Sequence, residues 1–128
     1  TERPASSLDW IWVDCYDGRG RVGTLESAEF YAAAHRALKA RGVLVANMWS
    51  SVTRYRGGLR RLRAVFGADN IVLLPAIATE NVTVIACKSP IPALDSRAIQ
   101  ARARALNAEH KLPFERWLKA LAQVSTAL

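Results

Sequence analysis

Apolar and polar positions fall into short runs whose character alternates along the chain. Asp9-Trp10-Ile11-Trp12-Val13-Asp14 is a run of strand formers, apolar on both faces, as expected of a strand covered on both sides. Glycines 18, 20 and 23 then make a loop. Ser27 can cap a helix running to about Arg41, with Phe30, Ala34, Ala37 and Leu38 on one stripe and Gly42 as its stop. Val43-Leu44-Val45-Ala46-Asn47-Met48-Trp49 reads as a second strand, apolar until Asn47. A second helix over 55–66 turns Leu59, Leu62, Val65 and Phe66 inward, and Gly67 follows it. Segments 70–76 and 82–87 are two further strands, too close together for a helical crossover and suited to a hairpin.

After Ser89-Pro90-Ile91-Pro92 the character changes. Asp95 can cap a helix from 96 to about His110, and Pro113 can open another to about Val124, with Leu118, Leu121 and Ala122 on its buried side. The order strand, helix, strand, helix, hairpin, helices predicts an α/β fold, because right-handed crossovers place the first two strands parallel and adjacent. The expected sheet is mixed, has about four strands, ends in an antiparallel hairpin and is flanked by helices. Residues 1–90 would hold that sheet, and residues 91–128 would form a helical C-terminal extension packing on the same domain.

At 128 residues the chain is long enough for one core of modest size. No apolar run approaches the roughly 18 residues of a membrane span. Thr1-Glu2-Arg3-Pro4 lacks the order of a signal peptide, so a cytoplasmic location is expected. Cys15 and Cys87 are too few for a disulfide framework and read as free thiols, and His35 and His110 are isolated from any metal-ligand cluster. The net charge of +7 reflects 14 Arg against 4 Lys, five of the arginines being Arg54, Arg56, Arg60, Arg61 and Arg63. Positions 56, 60 and 63 share a helical face, which a solvated surface explains without nucleic acid as a partner.

Val13-Asp14-Cys15-Tyr16-Asp17-Gly18-Arg19-Gly20 sets two carboxylates three residues apart where a strand meets a glycine-rich turn. Aspartates punctuate strand ends and Asp-Gly opens turns, so the pair can be structural. It also lies where open α/β sheets bind ligands, outside the carboxyl ends of parallel strands, and Asn47 ends the neighbouring strand.

D-W-I-W-V-D-C-Y-D, T-L-E-S-A-E-F-Y, L-K-A-R-G-V-L-V-A-N and F-G-A-D-N-I together resemble the spermidine synthase family of polyamine aminopropyltransferases. The resemblance runs from about Leu8 to Lys88. It implies a partial Rossmann-like fold of the methyltransferase type, corresponding to that fold's C-terminal half. It implies aminopropyl transfer from decarboxylated S-adenosylmethionine, a co-substrate, to an amine, with no cofactor resident in this chain. Asp14 would be the acid/base residue, Asp17 would hold the amine, and Tyr16 and Asn47 would line the acceptor pocket. A carboxylate pair suits this task, since it attracts an ammonium, accepts its proton and orients the free amine for attack.

The chain departs from the family in three places. Gly18-Arg19-Gly20-Arg21 stands where Pro-x-Gly-Pro is usual, the segment 75–81 has no tyrosine, and the donor-binding glycine-rich loop is missing. A methyltransferase of the same fold using S-adenosylmethionine, and a non-catalytic α/β binding module, remain open alternatives. If the first strand lacks its usual outer neighbour, strand 9–14 is an apolar edge, and homo-oligomers through Trp10 or Trp12 are expected. Cys15 and Cys87 should lie at opposite ends of the sheet.

Overall fold

A computed structural model describes residues 4–14, 24–49, 55–75, 80–93 and 96–125, with no side-chain description for Pro75 or residues 122–125. It divides into two compact units, Thr1–Pro90 and Ile91–Leu128. The first contains β1 (Leu8–Val13), α1 (Ala28–Ala37), β2 (Leu38–Trp49), α2 (Tyr55–Phe66), a short 3-10 turn (Ala68–Asn70), β3 (Ile71–Pro75) and β4 (Asn81–Cys87). The strands form one sheet in the order β1-β2-β4-β3, with β1 parallel to β2 and β4 antiparallel to both neighbours. This is the expected mixed α/β sheet, with β3 and β4 as its closing hairpin.

Both crossovers, β1 to β2 and β2 to β3, step in the same direction across the sheet. Right-handedness therefore sets α1 and α2 on one face, where they pack against each other. Under them lie Val13, Leu44, Ala46, Met48, Val82, Val84, Ala86 and Leu73, all buried and aligned by the ladder pairs Val13↔Ala46, Ala46↔Val84, Met48↔Val82 and Leu44↔Ala86. The helices supply Tyr31, Ala34, Ala37, Leu59, Leu62 and Phe66 to the same core. Tyr31, absent from the predicted stripe, is fully buried, whereas Phe30 is half-buried.

Several local expectations are corrected. The first helix ends at Ala37 rather than near Arg41, and β2 begins at Leu38, whose N–H still bonds the Ala34 carbonyl at the helix end. Lys39, Ala40 and Arg41 are acceptable helix formers, but strand pairing overrides them. Leu38 pairs with Leu8, the exposed Lys39 ammonium bonds Asp9 at 2.7 Å, Ser89 Oγ donates to the Ala40 carbonyl, and Lys88 Nζ donates to the Leu38 carbonyl at 2.6 Å.

Gly42 is accordingly not a helix stop. A Cβ there would lie 2.8 Å from Leu38 Cδ2 and 3.0 Å from the Leu8 carbonyl oxygen, so only glycine lets the two strands close on each other. The register shift between Leu8 and Trp10 sits beside it. Gly67, by contrast, does end α2 as expected, at φ +87, a conformation that favours glycine.

β1 is covered on one face rather than two. Val13 is buried and Ile11 half-buried, while Trp10 and Trp12, on the opposite face, are 67% and 71% exposed.

The second unit is a helical pair, α3 (Arg97–His110) and α4 (Phe114–Ser125). Ser96, not Asp95, caps α3, its hydroxyl accepting from the Ile99 N–H at 3.3 Å. Asn107 bridges the pair, donating to the Glu115 carboxylate at 2.8 Å and accepting from its N–H at 3.3 Å. Leu118 and Leu121 are half-buried. No helix of the described residues is long and apolar enough to cross a membrane.

Candidate active site

The pair Val13↔Ala46 is the last parallel pair of the sheet, so the next residues, Asp14 and Asn47, stand side by side at its carboxyl edge. They touch. The Asn47 side-chain amide donates to Asp14 Oδ1 at 3.1 Å. Asp14 is exposed and Asn47 half-buried. Asn47 is held from behind by its place in β2, where it pairs with Thr83 of β4.

Two residues that sequence reasoning singled out are therefore brought into one hydrogen-bonded pair. The other two, Tyr16 and Asp17, lie outside the described residues, as do Cys15, Arg54 and glycines 18, 20 and 23. Cys87 pairs with Val43, toward the amino end of β2 and away from the Asp14 edge. It is a half-buried free thiol whose pKa burial pushes up. Among the described residues no group of three or more His, Cys, Asp or Glu is placed to hold a metal ion.

Helices α1 and α2 each follow a strand of the parallel pair, so their amino ends face the same edge as Asp14 and Asn47. Glu26, which precedes the α1 cap Ser27, was not among the predicted site residues, yet it is buried. Its carbonyl accepts from Arg61 Nε at 2.6 Å. The sequence carries no signal for it, carboxylates being rarely buried. Glu29, on the helix side of the cap, is exposed instead; a backbone hydrogen bond and the Ser27 hydroxyl hold its carboxyl below the usual range. Tyr55 opens α2 half-buried, and desolvation pushes its phenol pKa up against the opposing charge of Arg63.

Chemically, the edge offers an exposed carboxylate with one oxygen engaged by a neutral amide, beside two helix amino ends. Such a group can attract a cation, accept a proton from it and hold its orientation.

Comparison with known proteins finds relatives of the chain as a whole. The chain is 34% identical over 119 residues to a polyamine aminopropyltransferase of Chromobacterium violaceum, covering 93% of this chain and 45% of that protein. It is 33% identical over 115 residues to a polyamine aminopropyltransferase of Neisseria meningitidis serogroup A, covering 90% and 43%. The chain thus spans a little under half the length of these curated relatives. No family model matches it.

Among solved structures, a spermidine synthase crystallised with the transition-state analogue AdoDATO superposes with a TM-score of 0.62 at 25% identity, covering 81% of this chain and 37% of that one. A probable spermidine synthase from Corynebacterium glutamicum shares the fold, with a TM-score of 0.60 at 22% identity over 94% of this chain and 46% of its own. In sequence and in fold the chain is spermidine synthase-like, similar over most of its length to polyamine aminopropyltransferases, with a partial Rossmann-like sheet.

Proposed function

We propose that this chain is the amine-handling part of a spermidine synthase-like aminopropyltransferase, corresponding to the C-terminal half of the family's fold. Asp14 is the acid/base residue, Asp17 a second ligand for the amine, and Tyr16 a wall of the same pocket. The donor is decarboxylated S-adenosylmethionine. The single observation that carries this reading is the Asp14–Asn47 pair at the carboxyl edge of the two parallel strands, in a chain one third identical to curated aminopropyltransferases.

The acceptor arrives as an ammonium and is drawn to the carboxylates. Asp14 takes its proton, which frees a lone pair on nitrogen. That pair attacks the carbon next to the sulfonium, the carbon–sulfur bond breaks, and its electrons neutralise sulfur as methylthioadenosine leaves. The new secondary ammonium then gives up a proton. Carboxylates do this work in a protein of net charge +7 because the local field at the site, not the total charge, decides where a cation binds.

The test is turnover by the intact parent protein that contains this half, given decarboxylated S-adenosylmethionine and a panel of primary amines, putrescine among them. Methylthioadenosine and an aminopropylated amine in equal amounts are expected. Asp14→Asn should lower kcat by about 10²- to 10⁴-fold, the range of a general acid/base group. Absence of both turnover and methylthioadenosine binding would overturn the proposal. S-adenosylhomocysteine made from S-adenosylmethionine would replace it with methyl transfer.

We also propose that copies of the chain associate through β1. It is an edge strand whose outer side has no strand neighbour among the described residues, and it carries the two most exposed large apolar side chains, Trp10 and Trp12.

A further inference from the structure

We infer that Asn47 is a positioning residue for Asp14, choosing which carboxylate oxygen receives the proton of the amine. This rests on the aminopropyltransferase reading of the same edge and changes the part Asn47 plays in it. From sequence, Asn47 faces the acceptor. In the structure one of its two amide N–H groups donates to Asp14 Oδ1, 3.1 Å away.

The two partners are unequally held. Asn47 belongs to β2, an inner strand paired with β1 on one side and β4 on the other, and its own ladder partner is Thr83. Asp14 is the first residue beyond the edge strand β1 and is exposed. A carboxylate there can turn about its side-chain bonds, and fixing such rotamers ahead of reaction is a recognised source of rate. The amide removes that freedom. With a lone pair of Oδ1 engaged, Oδ2 is the oxygen that makes no hydrogen bond among the described residues and can meet an incoming ammonium.

The chemistry of an amide fits this task better than the alternatives. It donates a hydrogen bond to the ionised carboxylate yet carries no charge, so it does not repel the cationic substrate as a lysine would. It also has no proton to lose near neutral pH, so it does not compete as an acid. A second carboxylate at this spacing would instead force the pair to share a proton.

Two measurements test the role. In steady-state assays, Asn47→Leu keeps the branching at Cγ but removes the donor. Its kcat should fall about 10- to 100-fold, the loss expected for a hydrogen bond to a charged group, with KM for the amine nearly unchanged. Asn47→Gln, which restores an amide on a longer arm, should recover part of that loss. A rise in KM at constant kcat would overturn the role, because it would mean that Asn47 binds the acceptor directly.

The second measurement needs no turnover. In nitrogen-resolved NMR of the whole protein, Asp14→Ala should shift the Asn47 side-chain amide protons and speed their exchange with water. An amide indifferent to that substitution would overturn the positioning contact alone. Absence of transfer by the unsubstituted protein would overturn the functional reading and this role with it.

Discussion

The Glu26 carboxylate packs against Gly58, where a side chain's first carbon would stand 3.2 Å from Glu26 Cδ and 3.3 and 3.5 Å from its two oxygens. This contact joins the amino ends of α1 and α2. At the far ends of the same helices the His35 ring meets Phe66 edge-on, with centroids 5.0 Å apart and planes at 82°. The two helices therefore run parallel, tied by a polar contact under the candidate site and an aromatic one away from it. Between these ties Tyr31, Ala34, Leu59 and Leu62 are buried, so the layer that supports the Asp14 edge is fastened at both ends.

The neighbouring glycines of α2 should respond oppositely to alanine. In a helix interior the exchange ordinarily adds about 1 kcal/mol of stability. At Gly57 the added carbon would meet only the end of the Arg61 side chain, 3.3 Å away at Nη1, which can swing aside. At Gly58 it meets the buried Glu26 carboxylate, which has little room to yield. Urea denaturation should show Gly57→Ala more stable than the parent by roughly 0.5–1 kcal/mol and Gly58→Ala no more stable, or less. Equal gains at both positions would mean that the Glu26 contact is loose.

Much of this architecture is legible in the sequence because each strand is a dense apolar run and each crossover contains one amphipathic helix. Right-handedness then leaves few ways to connect them, and the adjacency of Asp14 and Asn47 follows from where their strands end. The hydrogen bond between them does not follow, since adjacency allows either side chain to point elsewhere. Local propensity misleads at Leu38-Lys39-Ala40-Arg41, where Asp9, Leu8, Lys88 and Ser89 convert a plausible last helical turn into strand. Gly42 misleads for the same reason, because a glycine needed for close approach looks like one needed for a helix end. Glu26 is hidden by its type, carboxylates being rarely buried.

His35 makes stability depend on pH in a predictable direction. Its pKa is lowered, first by desolvation in its place on Phe66 and second by the charge of Lys88. The folded protein therefore binds this proton less readily than the unfolded chain. Its contribution to stability is fully present above the ordinary histidine pKa and is lost as pH falls through that value toward the depressed one. The midpoint of urea unfolding should decrease between about pH 7 and pH 5, a window set by the ordinary histidine pKa near 6.5. His35→Phe, which keeps a ring against Phe66, should flatten that part of the profile relative to the parent. An unchanged slope would assign the loss to other groups.

The exposed tryptophans give the last and most direct expectation. Trp10 and Trp12 project from the same face of β1, two residues apart, with exposures of 67% and 71%. Beside them the outer backbone edge of β1 has no strand neighbour among the described residues. A second copy pairing along that edge would satisfy backbone donors and acceptors and remove indole surface from water together, and buried tryptophans in such contacts are commonly worth about 2 kcal/mol or more each. Sedimentation equilibrium should thus find the parent protein associated at micromolar concentration. Trp10→Lys with Trp12→Lys places two like charges on the strand, and lysine on an edge is a natural block to pairing. The doubly substituted chain should sediment as a monomer while keeping its far-ultraviolet circular dichroism, because neither tryptophan is buried in the sheet's core. A parent protein that is monomeric at the same concentration, with indole fluorescence typical of full hydration, would rule out association through β1.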